Sequence, residues 1–371
     1  MNYKNLKLLG VLIVLVFLTA ACSIQTGTSG EEGSSEASVF LSTDGGGNWR
    51  PMVSVPTVDG RPQNIAGLNV NVIEMDPQDS LALYLGSFDQ GLYYTYNITQ
   101  GWNQVNGLPK TTINDVKVDP KNKCTIYAAL ANRLYRSQDC ARTWTQVYFD
   151  NNTEVSVTSV AVDHYHSRNI YIGTSRGEII KSINYGDNWR TIRRLDEGVA
   201  RLIVFPLDSR QLFVATAKNR IFSFTSSIDT NPDASADLDR NFVVENWTDL
   251  NDVLKDYNLG STFRDIVLSP QDGAIYLATE KLLLRSPDKG ITWENIKLIQ
   301  PEQQAAINAV AVNPQDAQSI YYVTNTTFFS STDGGATWKT KNLPTKRAGR
   351  VLLVDFNNPN NIYLGTIKLK K

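Results

Sequence analysis

The sequence predicts an all-β chain, a single seven-bladed β-propeller of four-stranded antiparallel blades whose last blade is closed by N- and C-terminal strands together. Three observations carry this reading. Seven tryptophans recur at steps of 42 to 58 residues. A pair of short β-branched and aromatic strands recurs seven times, out of phase with the tryptophans. Four strands then fall in each repeat of about 45 residues, the size of one propeller blade.

The N-terminal segment comes first. Lys4 and Lys7 lead into an apolar run from Leu8 to Leu18, followed by Thr19-Ala20-Ala21-Cys22. A spanning helix needs roughly 20 apolar residues, so this shorter run suits a secretory signal peptide with small residues at its cut site. The arrangement resembles a lipobox, which implies cleavage after residue 21, acylation of Cys22 and a lipid bilayer as one partner. Thr19 departs from the Leu, Val or Ile usual there. Residues 22–37 are Gly, Ser and Glu with almost nothing apolar, a flexible tether. Residues 38–371 remain for the propeller, expected outside the cytoplasm, on the cell surface or the periplasmic face.

Composition narrows the function classes. The formal net charge is −1, and removing Lys4 and Lys7 takes the mature chain to −3. Nucleic-acid binders are basic, so that class is excluded as an expectation. Only two histidines occur, which argues against a multi-histidine metal site. No metal and no cofactor is expected, and the chain reads as a monomer.

Five of the seven tryptophans close the same short motif. Ser42-Thr-Asp44-Gly-Gly-Gly-Asn-Trp49 is followed by Ser137-Gln-Asp139-Cys-Ala-Arg-Thr-Trp144 and Ser182-Ile-Asn184-Tyr-Gly-Asp-Asn-Trp189. Ser286-Pro-Asp288-Lys-Gly-Ile-Thr-Trp293 and Ser331-Thr-Asp333-Gly-Gly-Ala-Thr-Trp338 complete the set. Around Trp102 and Trp247 the motif has decayed. These five copies resemble the Asp-box, or bacterial neuraminidase repeat. The resemblance implies a tight turn in which the Asp or Asn accepts backbone N–H bonds, the Gly takes positive φ, and the Trp packs between blades. Asp44, Asp139, Asn184, Asp288 and Asp333 are therefore structural, with Trp49, Trp144, Trp189, Trp293 and Trp338.

The strand pairs follow the same order. Val72-Ile-Glu-Met-Asp-Pro77 precedes Leu83-Tyr-Leu-Gly86, and Val116-Lys-Val-Asp-Pro120 precedes Ile126-Tyr-Ala-Ala129. The pattern returns at Val160 with Ile170-Tyr-Ile-Gly173, and at Leu202 with Leu212-Phe-Val-Ala215. The last copies are Ile266 with Ile275-Tyr-Leu-Ala278, Val310 with Ile320-Tyr-Tyr-Val323, and Leu352 with Ile362-Tyr-Leu-Gly365. Each is a strand, a Pro/Asp/Asn turn and a second strand. The first motif is preceded by a lone strand, Ser38-Val-Phe-Leu-Ser42, and the final pair lacks a third strand. Residues 38–52 are thus expected beside residues 362–368, which leaves no open ring edge.

Cys124 begins a second strand and Cys140 lies in the turn after the third. A hairpin turning near Asn132 sets residue 124 opposite about residue 140, so a disulfide is expected between them.

Catalysis has weaker support. Sialidases share the Asp-box but are six-bladed, and their Arg-Ile-Pro motif is approached here only by Arg61-Pro62. Xyloglucanase-type hydrolases pair two propellers around a cleft, whereas this chain has one. Asp59, Glu154, Asp196, Glu197, Asp249, Asp252 and Glu302 lie on inter-blade loops, and nothing singles out the two carboxylates that glycoside cleavage uses. The chain is therefore read as a binding protein with no catalytic residue. Asp229-Thr-Asn231-Pro-Asp233-Ala-Ser235 has an alternating-oxygen pattern, but Arg240 stands where a calcium loop closes with Glu. It reads as a polar insertion between a third and a fourth strand. His164 and His166 read as a plain turn.

Charge is distributed unevenly along the chain. Two runs read as adjacent on one face: Arg190, Arg193, Arg194 and Arg201 after Trp189, and Lys339, Lys341, Lys346, Arg347 and Arg350 after Trp338. Such a patch steers and holds acidic surfaces. A single Asp-box propeller on a lipid anchor resembles the photosystem II stability and assembly factors, and more distantly the ten-bladed sortilin-type Vps10 domains. The first resemblance implies a scaffold that holds protein partners at a membrane, with the arginines as contacts. The competing binding reading is glycan recognition at the channel mouth, where Tyr148, Phe149 and Tyr257 could stack on sugar rings.

Overall fold

The computed structural model describes residues 36–58, 60–61, 63–226, 245–299 and 306–369. Cys22, the signal segment, Asp59, the Asp229–Ser235 stretch and Glu302 lie outside the described residues.

The chain forms a seven-bladed propeller of four-stranded antiparallel sheets. The first strand of each blade lies at one edge of its sheet, and these seven strands contact one another in succession around a closed ring. In blade order they are Val70–Asp76, Asp115–Asp119, Val157–Val162, Val199–Val204, Phe263–Leu268, Ala309–Asn313 and Ala348–Val354. Beyond the blades there is one two-stranded hairpin, Ser54–Val55 with Gln63–Asn64, and one 3-10 turn, Asp252–Leu254, among the described residues. No helix among them is long and apolar enough to cross a membrane.

The last blade closes as the offset repeats require. Val39–Ser42 pairs antiparallel with Ile362–Ile367, Val39 opposite Gly365 and Ser42 opposite Ile362. The Thr366 hydroxyl donates to the Ala37 carbonyl at 3.0 Å. Ala37, assigned by composition to the tether, is fully buried, so the folded part reaches one residue further toward the N-terminus.

The core is a ring of hydrophobic layers between successive blades. The aromatic of each second-strand motif anchors a layer: Tyr84, Tyr127, Tyr171, Phe213, Tyr276, Tyr322 and Tyr363 are each at most 2% exposed. The small residue ending that motif has a geometric cause. A Cβ on Gly86 would lie 2.7 Å from Ile113, one on Gly173 2.4 Å from Val199, and one on Gly365 2.7 Å from Val70. In each case the obstructing side chain belongs to the entry of the next blade's inner strand. Close inter-blade packing therefore demands Gly or Ala at these places.

The five Ser-x-Asp/Asn turns are built alike. In the first, Ser42 Oγ donates to Asp44 Oδ1 at 2.8 Å and accepts from Gly46 N at 2.8 Å, while Asn48 N donates to Asp44 Oδ1 at 2.8 Å. Asn184 serves the same way, accepting from Asn188 N at 2.9 Å. Trp189 Nε1 donates to Val147 O of the preceding blade at 2.8 Å, and Trp338 Nε1 to Lys297 O at 3.0 Å. Trp102, whose motif has decayed, still reaches Met52 O at 2.8 Å and is fully buried. Cys124 and Cys140 are joined by a disulfide, with Cys140 N donating to Cys124 O at 3.1 Å.

Candidate functional site

The ring of inner strands carries a β-bulge at its entry in blade after blade. The register skips Asn71, Thr158, Ala200, Arg264 and Arg350. Asn114 and Asn308 occupy the same place, each donating its N–H to the second strand just ahead of the regular pairing. A bulge turns the extra side chain away from the ladder, and here it is used between blades. Asn71 Nδ2 donates to Ile113 O at 2.9 Å, Asn114 Nδ2 to Val157 O at 2.8 Å, and Thr158 Oγ1 to Val199 O at 2.6 Å. Asn308 Nδ2 donates to Gly349 O at 2.9 Å. Each acceptor is the residue just ahead of the next blade's bulge. Four clasps thus run around one end of the channel, and Ala200, Arg264 and Arg350 interrupt them.

One residue further along the strands lie Asp115, Ser159, Arg201 and Asp265. Asp115 Oδ2 accepts from Val160 N at 2.9 Å and from Ser159 Oγ at 3.1 Å, and Asp265 Oδ2 accepts from Val310 N at 3.1 Å. Arg201 stands between the two acids, 3.9 Å from Asp115 and 3.7 Å from Asp265. Two residues deeper, Lys117 Nζ donates to Glu74 Oε2 at 2.6 Å between the first two blades. Burial pushes the Glu74 and Asp265 carboxyls up, against the pull of Lys117 and Arg201 respectively. Burial likewise opposes the charge of Lys117 and of Arg201, but the neighbouring carboxylates prevail and raise both. Arg350 differs: burial lowers its pKa, the attraction of Asp265 does not offset this, and Arg201 and Arg264 add like-charge repulsion.

The structure corrects the expected arrangement of the basic face. The two runs read as adjacent are three blades apart, because the first links blades three and four and the second links blades six and seven. Arg190, Arg193 and Arg194 lie exposed on the outermost strand of their blade, with Arg193 over the Trp247 ring at 5.6 Å and Arg194 3.1 Å from Glu178. Lys346 is exposed, as are Lys339 and Lys341 on an outermost strand. Arg347 is 3% exposed and donates to Thr366 Oγ1 at 3.0 Å, Asn69 Oδ1 at 3.0 Å and Leu68 O, which locks the ring closure. Of these residues, only Arg201 and Arg350 lie on inner strands.

Three of the loop carboxylates converge on one arginine. Arg220 is 2.9 Å from Asp196, 3.2 Å from Glu197 and 3.4 Å from Asp249. Asp252 pairs with Lys255 at 2.5 Å. Tyr148 packs edge-on against Trp189, and burial pushes its hydroxyl up to about 12. Phe149 is half exposed, and the Tyr257 hydroxyl donates to Trp293 O at 2.6 Å. Tyr148 and Phe149 are consecutive on one outermost strand, with Tyr148 half-buried and Phe149 exposed, whereas Tyr257 lies in the link between the fourth and fifth blades. His164 and His166 occupy a turn in which Asp163 Oδ1 accepts from Tyr165 N and His166 N, and no cluster of metal-ligating side chains occurs among the described residues.

Arg264, Asp265, Asp115, Glu74 and Lys117 were not singled out by sequence reasoning. The signal was a charged residue inside an otherwise apolar inner strand, visible in Val72-Ile-Glu-Met and Val116-Lys-Val.

No family model matches the chain, and no curated protein matches it either. Among solved structures, a GH74 xyloglucanase from Xanthomonas campestris superposes with a TM-score of 0.60 at 16% identity, over 80% of this chain and 51% of that one. YCF48 bound to D1 peptide gives 0.58 at 13% identity, over 81% of this chain and 94% of that one. The extracellular domain of the hybrid two-component system BT4673 from B. thetaiotaomicron gives 0.59 at 13%, over 82% and 38%. The chain thus spans about half the xyloglucanase and nearly all of YCF48. What it shares with all three is the propeller fold.

Proposed function

We propose that the chain is a lipid-anchored, extracytoplasmic binding protein that holds a protein partner on the face where the fourth-to-first-strand links surround the channel. The observation that carries this reading is Arg350, a cation on the inner ring with no carboxylate within ion-pairing distance among the described residues. A half-buried guanidinium that feels Asp265 but makes no direct ion pair favours an anionic group brought by a partner. The size match to YCF48, solved with a bound peptide, supports a single propeller of this kind as sufficient to hold a polypeptide. Asp196, Glu197, Asp249 and Asp252 are engaged by Arg220 and Lys255, which weighs against their serving as a free catalytic pair.

The test is crosslinking capture of the acylated protein from its own membranes. Wild type is compared with an Arg193/Arg194/Arg350→Ala variant, and Arg347 is left intact because it secures the fold. A discrete set of membrane proteins lost in the variant supports the reading. Background capture alone overturns it, and directs attention to glycan binding.

A further inference from the structure

We propose that the Cys124–Cys140 disulfide is a redox-sensitive latch on the second blade. It holds a turn that lacks the glycine its backbone favours, and reduction by a dithiol lets that turn open while the other blades stay closed. Each of the five Ser-x-Asp/Asn turns places two consecutive residues at positive φ. The pairs are Gly45-Gly46, Cys140-Ala141, Tyr185-Gly186, Lys289-Gly290 and Gly334-Gly335. An L side chain in that region costs energy that glycine does not, and non-glycine residues rarely adopt it in succession. Four turns meet this with at least one glycine, and the second blade's turn has none.

The second position of each pair is where the glycine matters. A Cβ on Gly46 would lie 2.1 Å from Phe328, one on Gly335 2.4 Å from Ile296, and one on Gly290 2.7 Å from Leu250. In each case the obstructing residue belongs to the preceding blade. Ala141 puts a methyl at this place and is 5% exposed, in the cluster that also holds Leu92 and Val105 of the first blade. Its φ is +63°, against +91° to +97° at the four glycines. The second blade's turn therefore carries a side chain in a conformation that the other four reserve for glycine.

The disulfide sits where the other turns rely on a single backbone bond. Gly45 N donates to Asn360 O, Tyr185 N to Arg168 O and Gly334 N to Gln318 O, each at 2.9 Å. Every acceptor lies two residues ahead of the Ile that opens its blade's second-strand motif. Cys124 holds that position before Ile126, and Cys140 N donates to its carbonyl at 3.1 Å. Here the two residues are also joined covalently, and the Tyr96 hydroxyl of the first blade donates to Cys140 O at 2.6 Å. Both cysteines are partly exposed, so a dithiol in solution can reach them. One of its thiolates attacks a sulfur of the pair, forming a mixed disulfide and releasing the other cysteine as a thiolate. Its second thiol then closes the reductant's own disulfide and releases the second cysteine, which leaves two protein thiols and one oxidised reductant.

The latch is independent of the partner-binding reading and is tested without a partner. The full-length protein in detergent is compared with and without dithiothreitol by amide hydrogen exchange, read on peptides covering residues 137–144, 182–189 and 331–338, with thiol labelling to follow reduction. The expected result is a loss of protection of about tenfold or more at 137–144 on reduction, with the other two turns unchanged and full recovery on reoxidation. A Cys124→Ser/Cys140→Ser variant should show the same loss without dithiothreitol, and adding Ala141→Gly should restore most of the protection. That rescue separates a turn held against its own preference from a blade that has merely lost a staple. If the double-serine chain does not fold, Ala141→Gly in the reduced wild-type background carries the same comparison. Unchanged protection at 137–144, equal loss at all three turns, failure of the glycine to rescue, or a disulfide that dithiothreitol reduces only after global unfolding overturns the proposal.

Discussion

Val323 occupies the space that a side chain on Gly349 would take: a Cβ there would lie 2.3 Å from Val323 Cγ2. At the other close junctions the small residue is on the second strand and the large one enters from the next blade, as with Gly173 and Val199. Between blades six and seven the two sizes are exchanged.

This exchange gives a test by paired substitution. Gly349→Val alone overpacks the junction and should cost about 1–3 kcal/mol. Val323→Gly alone opens a cavity and removes a buried side chain. Together they recreate the arrangement of Gly173 and Val199, so chemical denaturation should give a favourable coupling of about 0.5–3 kcal/mol. Additive losses would mean that the junction is not a simple exchange.

The interrupted ring of clasps offers a gain as well as a loss. Asn114→Ala leaves Val157 O without its donor and should destabilise the propeller by about 1–3 kcal/mol. Ala200→Asn supplies the missing donor toward the carbonyl of Phe263 and should stabilise it by about 0.5–1.5 kcal/mol. A drop in melting temperature for Ala200→Asn would show that the fourth junction is closed by other means.

Acid should unfold the protein in a defined window. The turn donors hold the Asp44, Asp139 and Asp333 carboxyls at about 2, below their ordinary 3.8. A depressed carboxylate contributes stability that is complete above 3.8 and lost as pH falls toward 2. Glu74 and Asp265 are shifted the other way by burial, so the turns are isolated by difference. An Asp44/Asp139/Asp333→Asn variant copies Asn184, which already occupies this position. Its stability should fall less steeply between pH 4 and pH 2 than that of wild type. Parallel curves would remove the turns as the acid-sensitive element.

The disulfide should stabilise one blade. Cys124 and Cys140 enclose a loop of 16 residues' separation, for which chain entropy gives about 3 kcal/mol. A Cys124→Ser/Cys140→Ser variant should lose about 2–3 kcal/mol in denaturant midpoint terms, with its far-ultraviolet spectrum unchanged. An unchanged midpoint would assign the hairpin's stability to its strand pairing.

The architecture was legible because each blade repeats one physical problem. The Leu83-Tyr-Leu-Gly86 motif records a buried aromatic and a place where only a small residue fits. The offset between tryptophans and strand pairs required the shared last blade. The site was less legible. Arg347 and Arg350 are three residues apart in sequence, yet one is buried in hydrogen bonds at the ring closure and the other is on the inner ring. Charge runs along the chain do not encode blade order around a ring, so Arg190–Arg194 and Lys339–Arg350 looked closer than they are. Arg264 was invisible because a bulge, not an alternation, directs its side chain.

The pairing of Val39–Ser42 with Ile362–Ile367 sets a schedule. The first strand of the propeller to leave a ribosome or cross a membrane has its partner among the last, a separation of 329 residues between Ala37 and Thr366. Six blades can be assembled while that early strand waits with an unpaired edge. Any protease or chaperone that acts during synthesis therefore meets an open ring, and only arrival of the final strand converts it into a closed one.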